Sequence, residues 1–409
     1  MLKKICSSTA AAVLLSHSIG AFAGNTASAN AFNPALSFIM VGTYGNLQHD
    51  PAIPVTGFAM NPVPGHAQGF NIGESELGVS ADIDPQFRGV ATISLLPDGS
   101  SSVENAFVQT TALENGVNLK FGRFFSGFGY LNEQHSHTWD FVDQPLVYSV
   151  LWGDQLKEDG VQLKWLAPTD LFIELGGEIG KGSNFPGTNT PKNGSGASTL
   201  FAHFGDDIGI EQSWRAGVSF HQTRRVDAVS TGVPDPMNAA AVVSDSFTGD
   251  SKTAGLDFVW KYSRNGNFRE SYLKVQSEYF RRKENGLLTY NMGTPPSASG
   301  PTSTGSYIDT QSGWYLQSVY QFNPNWRSGI RYDRLDPGTA SLGATLAGKV
   351  IGNYGFNPSR VTWMADYNTS EFARLRLQLA HDNSRQGLPD NQIFVQYIMA
   401  MGAHGAHQY

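Results

Sequence analysis

Apolar and polar residues alternate with a period of two along most of this chain. Near the C-terminus, Leu375, Leu377 and Leu379 share one face, whereas Arg374 and Arg376 share the other. The same alternation recurs in SWRAGVSFH (213–221), GLDFVWKY (255–262) and YLKVQSEYFR (272–281). Because successive side chains of a strand point to opposite faces, this pattern predicts β-strands with one apolar and one polar face. Many such strands are typical of a barrel with lipid outside and water inside, and a soluble β-sandwich or solenoid is the alternative.

Short turns and longer polar stretches separate these strands in alternation. Asn115-Gly116, Asn265-Gly266 and Asn323-Pro324 mark short turns. The longer stretches are 47–69, 126–158, 181–198, 223–252, 283–306, 335–356 and 383–390, with one shorter connection at 97–99 in the same series. Counting between the connections predicts an all-β, antiparallel transmembrane barrel of about sixteen strands, with periplasmic turns and extracellular loops.

The first residues predict an exported chain. Lys3 and Lys4 precede a short apolar segment, and the sequence AFA at 21–23 fits a signal cleavage site. We therefore expect a signal peptide at 1–23, a short periplasmic segment at 24–32 and the barrel at 33–409. The only cysteine, Cys6, lies within that signal, so disulfides, zinc-cysteine sites and cysteine nucleophiles are excluded from the mature chain.

Composition narrows the class of protein further. Aromatic residues make up 12% of the chain, glycine 45 of 409 residues and charged residues only 15%, compared with about 25% charged residues in soluble domains. Long apolar segments that would span a bilayer as helices are absent from the sequence. The formal net charge is −7, and removal of two lysines with the signal gives −7 − 2 = −9, which argues against nucleic acid as a partner. These features favour a closed barrel in the outer membrane of a Gram-negative bacterium.

The stretch 126–158 follows the fifth predicted strand and is therefore the third extracellular loop. Its six aromatic residues suit a loop that folds into the barrel better than a loop in solvent. Acidic loop residues (Glu133, Asp140, Asp143 and Asp154) and basic residues of the predicted inner wall (Arg215, Arg327, Arg331, Arg374 and Arg376) are the candidate constriction residues. We expect the two sets to face each other across the pore and create a transverse field that orients polar solutes. Ordinary solvated charges in the lumen are the alternative.

Two histidines of this loop are candidate metal ligands. His135 and His137 are two residues apart, so on an extended segment they point the same way. Asp140 or Asp143 could complete a set of nitrogen and oxygen donors, which suits zinc and related ions. The alternative is a pair of histidines that form hydrogen bonds or line the lumen. No cofactor is expected apart from zinc as a bound or transported ion.

The sequence as a whole predicts passive diffusion of small hydrophilic solutes or ions through a constricted, water-filled pore. An outer-membrane receptor or channel for zinc or another divalent metal is the second hypothesis. A barrel enzyme is the third and least favoured, because the chain contains neither a GxSxG motif nor a P-loop. Outer-membrane lipid, lipopolysaccharide and the barrel assembly machinery are the expected partners, and a homotrimer is an open option.

Two resemblances to known families add to these expectations. The segment VNLKFGRFFSGFGYLN (117–132) resembles porins of the phosphate-selective type, which carry a similar Gly-Arg-Phe and Phe-Gly pattern (Gly122, Arg123, Phe124, Phe128 and Gly129 here). This likeness implies a porin barrel. It does not carry phosphate selectivity with it, because those porins select anions with basic residues whereas this third loop is acidic.

The second resemblance extends through most of the chain. FGYLNEQHSHTWDFVDQPLVY, DGVQLKWLAPTDLFIELGGE and GAHGAHQY are similar to proteobacterial proteins labelled zinc-regulated TonB-dependent outer-membrane receptors. The likeness implies an outer-membrane barrel with an association with zinc. Receptors of the TonB-dependent kind have about 22 strands and a plug. Here the first strand pattern, NPALSFIMVGTY, begins 10 residues after the predicted cleavage site, so we expect no plug.

Overall fold

A computed structural model describes residues 34–58, 67–188, 195–229, 233–235, 238–243, 245–290, 302–347 and 355–403. The predicted signal peptide, the segment 24–32 and the histidines of the terminal GAHGAHQY lie outside the described residues, and the expectations for them remain predictions. No helix of the described part is both long enough and apolar enough to cross a membrane.

Sixteen antiparallel strands form one closed barrel, which confirms the predicted fold class. They are β1 (Ala35–Asn46), β2 (Ser75–Asp84), β3 (Phe87–Leu95), β4 (Ser101–Thr110), β5 (Val117–Phe125), β6 (Lys157–Leu166), β7 (Phe172–Gly180), β8 (Ala197–Ile208), β9 (Gln212–Val229), β10 (Ser246–Tyr262), β11 (Tyr272–Tyr290), β12 (Ser303–Gln321), β13 (Trp326–Asp336), β14 (Ser359–Ser370), β15 (Ala373–Asn383) and β16 (Asp390–Gly402). The barrel closes where β1 pairs with β16, with Ser37 opposite Gly402 and Asn46 opposite Ile393. Closure leaves the main barrel without a free edge, as a membrane requires.

The two faces of the wall differ as the alternation of residues predicts. On β15, the Leu375 side chain points outward and is 44% exposed, whereas the neighbouring Arg376 points inward and is 1% exposed. Leucines on other strands, such as Leu200 and Leu256, are likewise exposed on the outer face. An apolar exterior of this extent is stable in lipid rather than in water. The protein is therefore an outer-membrane barrel.

The strands are much longer on one side of the barrel than on the other. β9, β10, β11 and β12 contain 18, 17, 19 and 19 residues, whereas β3, β5 and β7 contain nine each. The predicted loops 223–252 and 283–306 were therefore too wide, because about half of their residues belong to these tall strands. Outward residues there, such as Asp250 and Lys252, are polar and exposed. Without an apolar face, these strand ends look like loops in the sequence.

The third loop connects β5 to β6 and contains one short helix, α1 (Leu146–Trp152). Almost all of its residues between 126 and 156 are buried or half-buried, although it is a connection and not a strand. Side chains on the inner faces of many strands contact it, as described below. The first loop adds to the packing, since the Gly57 carbonyl oxygen accepts a hydrogen bond from the Gln311 side chain on β12 (3.1 Å).

Candidate functional site

A polar neck holds the two ends of the third loop together. The Asn132 side-chain amide donates to the carbonyl oxygens of Ser126 (2.7 Å) and Leu156 (2.9 Å), and its oxygen accepts from the Leu156 amide (2.7 Å). Beside this neck, Glu178 on the inner face of β7 accepts hydrogen bonds from the Ser126 hydroxyl (2.6 Å) and the Gly127 amide (2.8 Å). These bonds attach the start of the loop to the inner wall.

A buried carboxylate on β11 fixes the next part of the loop. Glu278 accepts hydrogen bonds from the backbone amides of Tyr130 (2.9 Å) and Leu131 (3.2 Å) and from the Tyr148 hydroxyl (2.9 Å). The hydroxyl of Tyr315, on the neighbouring β12, donates to the same carboxylate (2.6 Å). Glu278 therefore joins two parts of the loop to one point of the wall.

The helix α1 gives the loop an apolar side that packs against the tall strands. It follows Pro145 and ends at Gly153, which adopts the left-handed conformation (φ 61°) that glycine tolerates. One buried apolar cluster joins loop and wall and comprises Phe58, Phe128, Leu131, Trp139, Leu146, Val147, Tyr148, Val150, Leu151, Trp152, Leu156, Phe280, Tyr315 and Leu335. Each large side chain in such a cluster stabilises the packing by roughly 1.5–3 kcal/mol.

Asp140 and Asp143, with their partners on β11 to β15, form what we call the aspartate end of the loop. Asp140 accepts hydrogen bonds from Arg327 (2.8 Å) and Gln317 (2.9 Å) and also pairs with Lys274. Burial raises the pKa of Asp140, but the cations Lys274 and Arg327 outweigh burial and hold that pKa below its usual range. The carboxylate therefore stays ionised against the wall.

Asp143 makes similar contacts with β13, β14 and β15. Its carboxylate lies 2.9 Å from the guanidinium of Arg331 on β13 and 2.6 Å from that of Arg360 on β14. The Gln378 side chain on β15 donates a further hydrogen bond to it (3.0 Å). The backbone takes part as well, because the Val142 amide donates to the Gln378 side-chain oxygen (2.7 Å).

Two aspartates of the wall, Asp333 and Asp366, form further ion pairs with the arginines at the aspartate end. The pairs, all within 3.7 Å, are Asp366 with Arg327, Arg374 and Arg376, and Asp333 with Arg331 and Arg360. From the sequence, we expected Asp140 and Asp143 to face Arg327, Arg331, Arg374 and Arg376 across an opening. The structure instead joins the two aspartates to the wall in buried contact pairs and neutralises Arg374 and Arg376 at Asp366. These groups anchor the loop, and their charges do not oppose each other across free space.

His135 and His137, with Glu76 of β2 and Glu104 of β4, form the histidine end of the loop. His135 Nδ1 lies 2.9 Å from Glu104 Oε2 and 3.1 Å from Glu76 Oε2. His137 Nδ1 lies 2.8 Å from the other oxygen of Glu76. Burial lowers the pKa of His135, but the two carboxylates outweigh it and raise that pKa well above its usual value.

The histidine pair was identified from the sequence, but its oxygen partners were not. The expected partners, Asp140 and Asp143, are committed to the aspartate end. Glu76 and Glu104 occupy inward positions of β2 and β4, where single acidic residues of a barrel strand carry no distinctive signal. Only the closure of the barrel and the path of the loop bring them to His135, which follows them by 59 and 31 residues (135 − 76 and 135 − 104).

The parts of the third loop that remain accessible lie mostly between Tyr130 and Thr138, whereas 139–148 is buried throughout. Glu133, in this accessible strip, accepts a bidentate contact from Lys164 of β6 (2.8 and 3.0 Å). Burial raises the pKa of Glu133, yet Lys164 and Lys120 outweigh it and lower that pKa. We call 130–138 the lumen strip.

Arg215 and Asp154 occupy different surroundings from the other candidate residues. The guanidinium of Arg215 lies over the Tyr130 ring, 5.1 Å from its centre, and donates a long hydrogen bond to the Gly129 carbonyl oxygen (3.4 Å). Asp154 follows α1 with φ 96° and makes no ion pair within the described ranges. Burial, partly offset by Lys157, raises the pKa of Asp154 to about 6. Arg215 therefore borders the lumen strip, whereas Asp154 lies beyond it.

Comparison with solved structures returns outer-membrane proteins of the same fold. The in-vitro folded OmpT of Vibrio cholerae, in its trimer form, aligns with a TM-score of 0.54 at 11% identity and covers 91% of this chain and 100% of its own. The outer membrane channel DcaP of Acinetobacter baumannii aligns with a TM-score of 0.51 at 14% identity, over 90% of this chain and 97% of its own. At such identity, the likeness concerns the fold alone.

No protein-family model matches the chain. These comparisons give no support to the label of a zinc-regulated receptor. An uncharacterized protein of Aquifex aeolicus (strain VF5) is 32% identical over 364 residues, which span 84% of this chain and 70% of the Aquifex protein. The chain, an outer-membrane β-barrel, belongs to the same family as this Aquifex aeolicus protein.

Proposed function

We propose that this barrel is a passive outer-membrane channel for small hydrophilic solutes, that the lumen strip forms its constriction, and that it prefers anions. The observation that carries the proposal is the contrast within the third loop. One side is anchored to the wall by buried ion pairs and apolar packing, while Tyr130 to Thr138 presents accessible polar groups to a charged wall. A loop held inside a barrel in this way narrows the pore. The accessible polar groups of the lumen strip allow the narrowed pore to remain open to water.

The charges around the lumen strip favour anions. Three cations beside the strip, Lys120, Arg215 and Lys261, form no ion pair among the described residues. The carboxylates that contact the strip are each engaged: Glu133 pairs with Lys164, Glu76 and Glu104 pair with the histidines, and Glu278 accepts four hydrogen bonds. Wall cations without a protein partner concentrate solute anions.

Lys261 is the most informative of these cations. It lies directly across from Lys274 in the pairing of β10 with β11, and like charges in that position destabilise a sheet. Lys274 is compensated by Asp140, whereas Lys261 makes no ion pair among the residues that the structure describes. A solute anion would supply the missing compensation, which supports Lys261 as a contact for permeating anions.

The reversal potential of the refolded protein in a planar bilayer under a KCl gradient tests this proposal. We expect open channels with a reversal potential of the sign that anion preference gives. Lys261→Gln should move it towards the cation side. Lys252→Gln is the matched control, because Lys252 lies on the same strand but points outward into solvent, and should leave it unchanged. Cation preference in the wild type, or equal shifts in both variants, would contradict the proposal.

Other expectations from the sequence remain part of the proposal. Passive diffusion requires no catalytic group, so we expect no hydrolytic activity towards lipid or peptide substrates. Trimeric assembly is compatible with the fold, since the Vibrio cholerae OmpT structure is a trimer form. Lipopolysaccharide and the barrel assembly machinery are the partners that any barrel of the outer membrane meets.

A further inference from the structure

The histidine end carries more carboxylates than the described cations can compensate. Glu76 and Glu104 are 3% and 1% exposed, and their ion pairs within the described ranges are to histidine only. Glu74, which precedes β2, adds a third carboxyl that hydrogen-bonds to Glu104. Buried carboxylates in such numbers need protons or a cation for compensation.

The donor atoms of this cluster already have the spacing of a metal site. One oxygen of Glu76, one oxygen of Glu104 and one ring nitrogen of His135 all lie within 4.8 Å of one another. The two distances from His135 Nδ1, 2.9 and 3.1 Å, are slightly shorter than the separation of roughly 3.4 Å between ligands of a tetrahedral ion with bonds of about 2.1 Å. A small outward movement of the three groups would admit an ion.

We propose that Glu76, Glu104 and His135 bind a divalent first-row transition-metal ion, with Zn²⁺ as the reference ion. One imidazole nitrogen and two carboxylate oxygens suit this class, whereas Mg²⁺ and Ca²⁺ prefer oxygen ligands alone. Water or the nearby Glu74 carboxyl completes the coordination. This site differs from the one expected from the sequence, because neither Asp140 nor Asp143 contributes to it.

The neighbours of the cluster hold the ligands in position. His137 binds the Glu76 oxygen that faces away from His135 (2.8 Å), which fixes the carboxylate plane. Ser136 donates to the same oxygen (3.3 Å). Polar partners of this kind orient metal ligands and are worth a large part of the affinity of such sites.

Metal binding requires the Asn105 side chain to change its orientation. The Asn105 side chain lies 3.1 Å from His135 Nε2, with its amide nitrogen towards the ring. An ion at Nδ1 leaves the ring proton on Nε2, which then needs an acceptor. The Asn105 amide must therefore turn its oxygen towards the ring when the ion binds. This rotation costs the weak hydrogen bond from the Phe125 amide to Asn105 (3.3 Å).

The three ligands come from three separate parts of the chain. β2, β4 and the lumen strip contribute one ligand each, so an ion fastens the strip to the wall opposite the aspartate end. The test of this site measures ion binding and not conductance, so a failure of the metal site and a failure of the proposed channel function give different results.

Isothermal titration calorimetry with the untagged, refolded chain and ZnCl₂ tests the proposal. We expect saturable binding of one ion per chain, with MgCl₂ giving none. Glu104→Gln keeps the volume and the hydrogen bond to His135 but removes a charged ligand, and His135→Gln removes the nitrogen donor. Each should weaken binding by roughly tenfold or more. His381→Gln is the matched control, because His381 is exposed and pairs with Asn391 on the outer face.

The outcomes separate the site from adventitious binding. Unchanged affinity in Glu104→Gln and His135→Gln, or absence of saturable binding in the wild type, would overturn the proposal. Equal losses in His381→Gln would do the same, since they would indicate nonspecific binding to surface imidazoles. Folding of each variant is verified by its migration in a gel with and without heating. Because His135 lies in a loop, its substitution leaves the strands intact if Glu104→Gln fails to fold.

Discussion

The aspartate end and the histidine end, two neighbouring segments of the third loop, are attached to the barrel by different chemistry. At the aspartate end, two loop carboxylates meet cations that two further wall carboxylates also compensate. At the histidine end, two imidazoles meet buried carboxylates whose described ion pairs include no lysine or arginine. The first arrangement is complete in itself, whereas the second depends on a proton or a metal ion.

The contrast indicates which attachment of the third loop is fixed and which attachment changes when a proton or a metal ion binds. Buried, mutually compensated ion pairs are costly to break because each lost partner leaves an unpaired charge. An imidazole nitrogen can bind either a proton or a metal ion. We therefore infer that the aspartate end fixes the loop inside the barrel and that the histidine end determines how tightly the lumen strip is held.

The largest effect is expected from Asp143→Asn, which breaks the aspartate end. The substitution leaves Arg331 and Arg360 with Asp333 as their remaining carboxylate. Removing one partner of a buried ion pair costs about 3–5 kcal/mol, so we expect the loop to detach locally. Hydrogen exchange should show faster exchange of the backbone amides of Val142 and Leu146, which are bonded to the wall.

The strands provide the internal control for this experiment. Amides of β14 and β15 should keep their protection, since their pairing with each other does not involve the loop. Uniform loss of protection throughout the barrel would mean that the substitution unfolds the whole protein. Full protection of Val142 and Leu146 would mean that the aspartate end is not the anchor.

A smaller effect is expected from Glu76→Gln, which breaks the histidine end. The substitution removes the carboxylate that His135 and His137 share. Loss of hydrogen bonds to a charged group costs about 1.5–3 kcal/mol, but the change also relieves repulsion from Glu104, so we expect a net loss of about 1 kcal/mol. Exchange should increase at Thr138 and Trp139 and stay unchanged at Val142. Parallel increases at both ends would show that they are not independent.

Acid should leave the aspartate end intact. The pKa of Asp140 lies below its usual range in the folded protein, because Lys274 and Arg327 outweigh burial. A lowered pKa stabilises the fold above the unfolded value, and the stability is lost only as the pH falls through the lower, folded value. At a pH of about 4, where a free aspartate is half protonated, protection of the Val142 amide should persist. Its disappearance at that pH would show that Asp140 titrates as an exposed carboxyl.

The smallest effect is expected for an ion pair outside both ends. Arg123 and Asp159 lie 2.6 Å apart, but both side chains are 35% exposed. Exposed pairs contribute about 1 kcal/mol or less, so Asp159→Asn should change neither the exchange of loop amides nor the stability by more than this amount. A loss as large as that of Asp143→Asn would mean that burial does not distinguish the pairs of this barrel.

Much of the barrel could be predicted from the sequence, because the outer face of each strand repeats the same type of residue. Leu375, Leu377 and Leu379 face lipid, and that requirement alone produces the alternation that predicts a strand. The tall ends of β9 to β12 rise beyond the lipid, where outward residues such as Asp250 and Lys252 are free to be polar. The pattern therefore ends before the strand does, and the loops were predicted too long.

Only part of the candidate functional site could be predicted from the sequence, because its residues come from distant parts of the chain. The third loop was identified from its length and aromatic residues, and His135 and His137 from their spacing. Their true partners, Glu76 and Glu104, depend on barrel closure and on the route of the loop, which residue spacing does not encode. The sequence placed the acidic loop residues in one group, but a list of charges does not distinguish a contact pair such as Asp143–Arg331 from charges held apart across a pore.

Single-channel conductance of the wild type and Asp143→Asn, recorded under the same KCl gradient, tests the central claim most directly. The claim is that a wall-anchored third loop constricts an open, passive channel. We predict small, steady, anion-preferring openings for the wild type and larger, noisier openings for the variant, because a detached loop no longer fixes the lumen strip. Identical conductance in the two proteins, or no conductance in either, would contradict the claim.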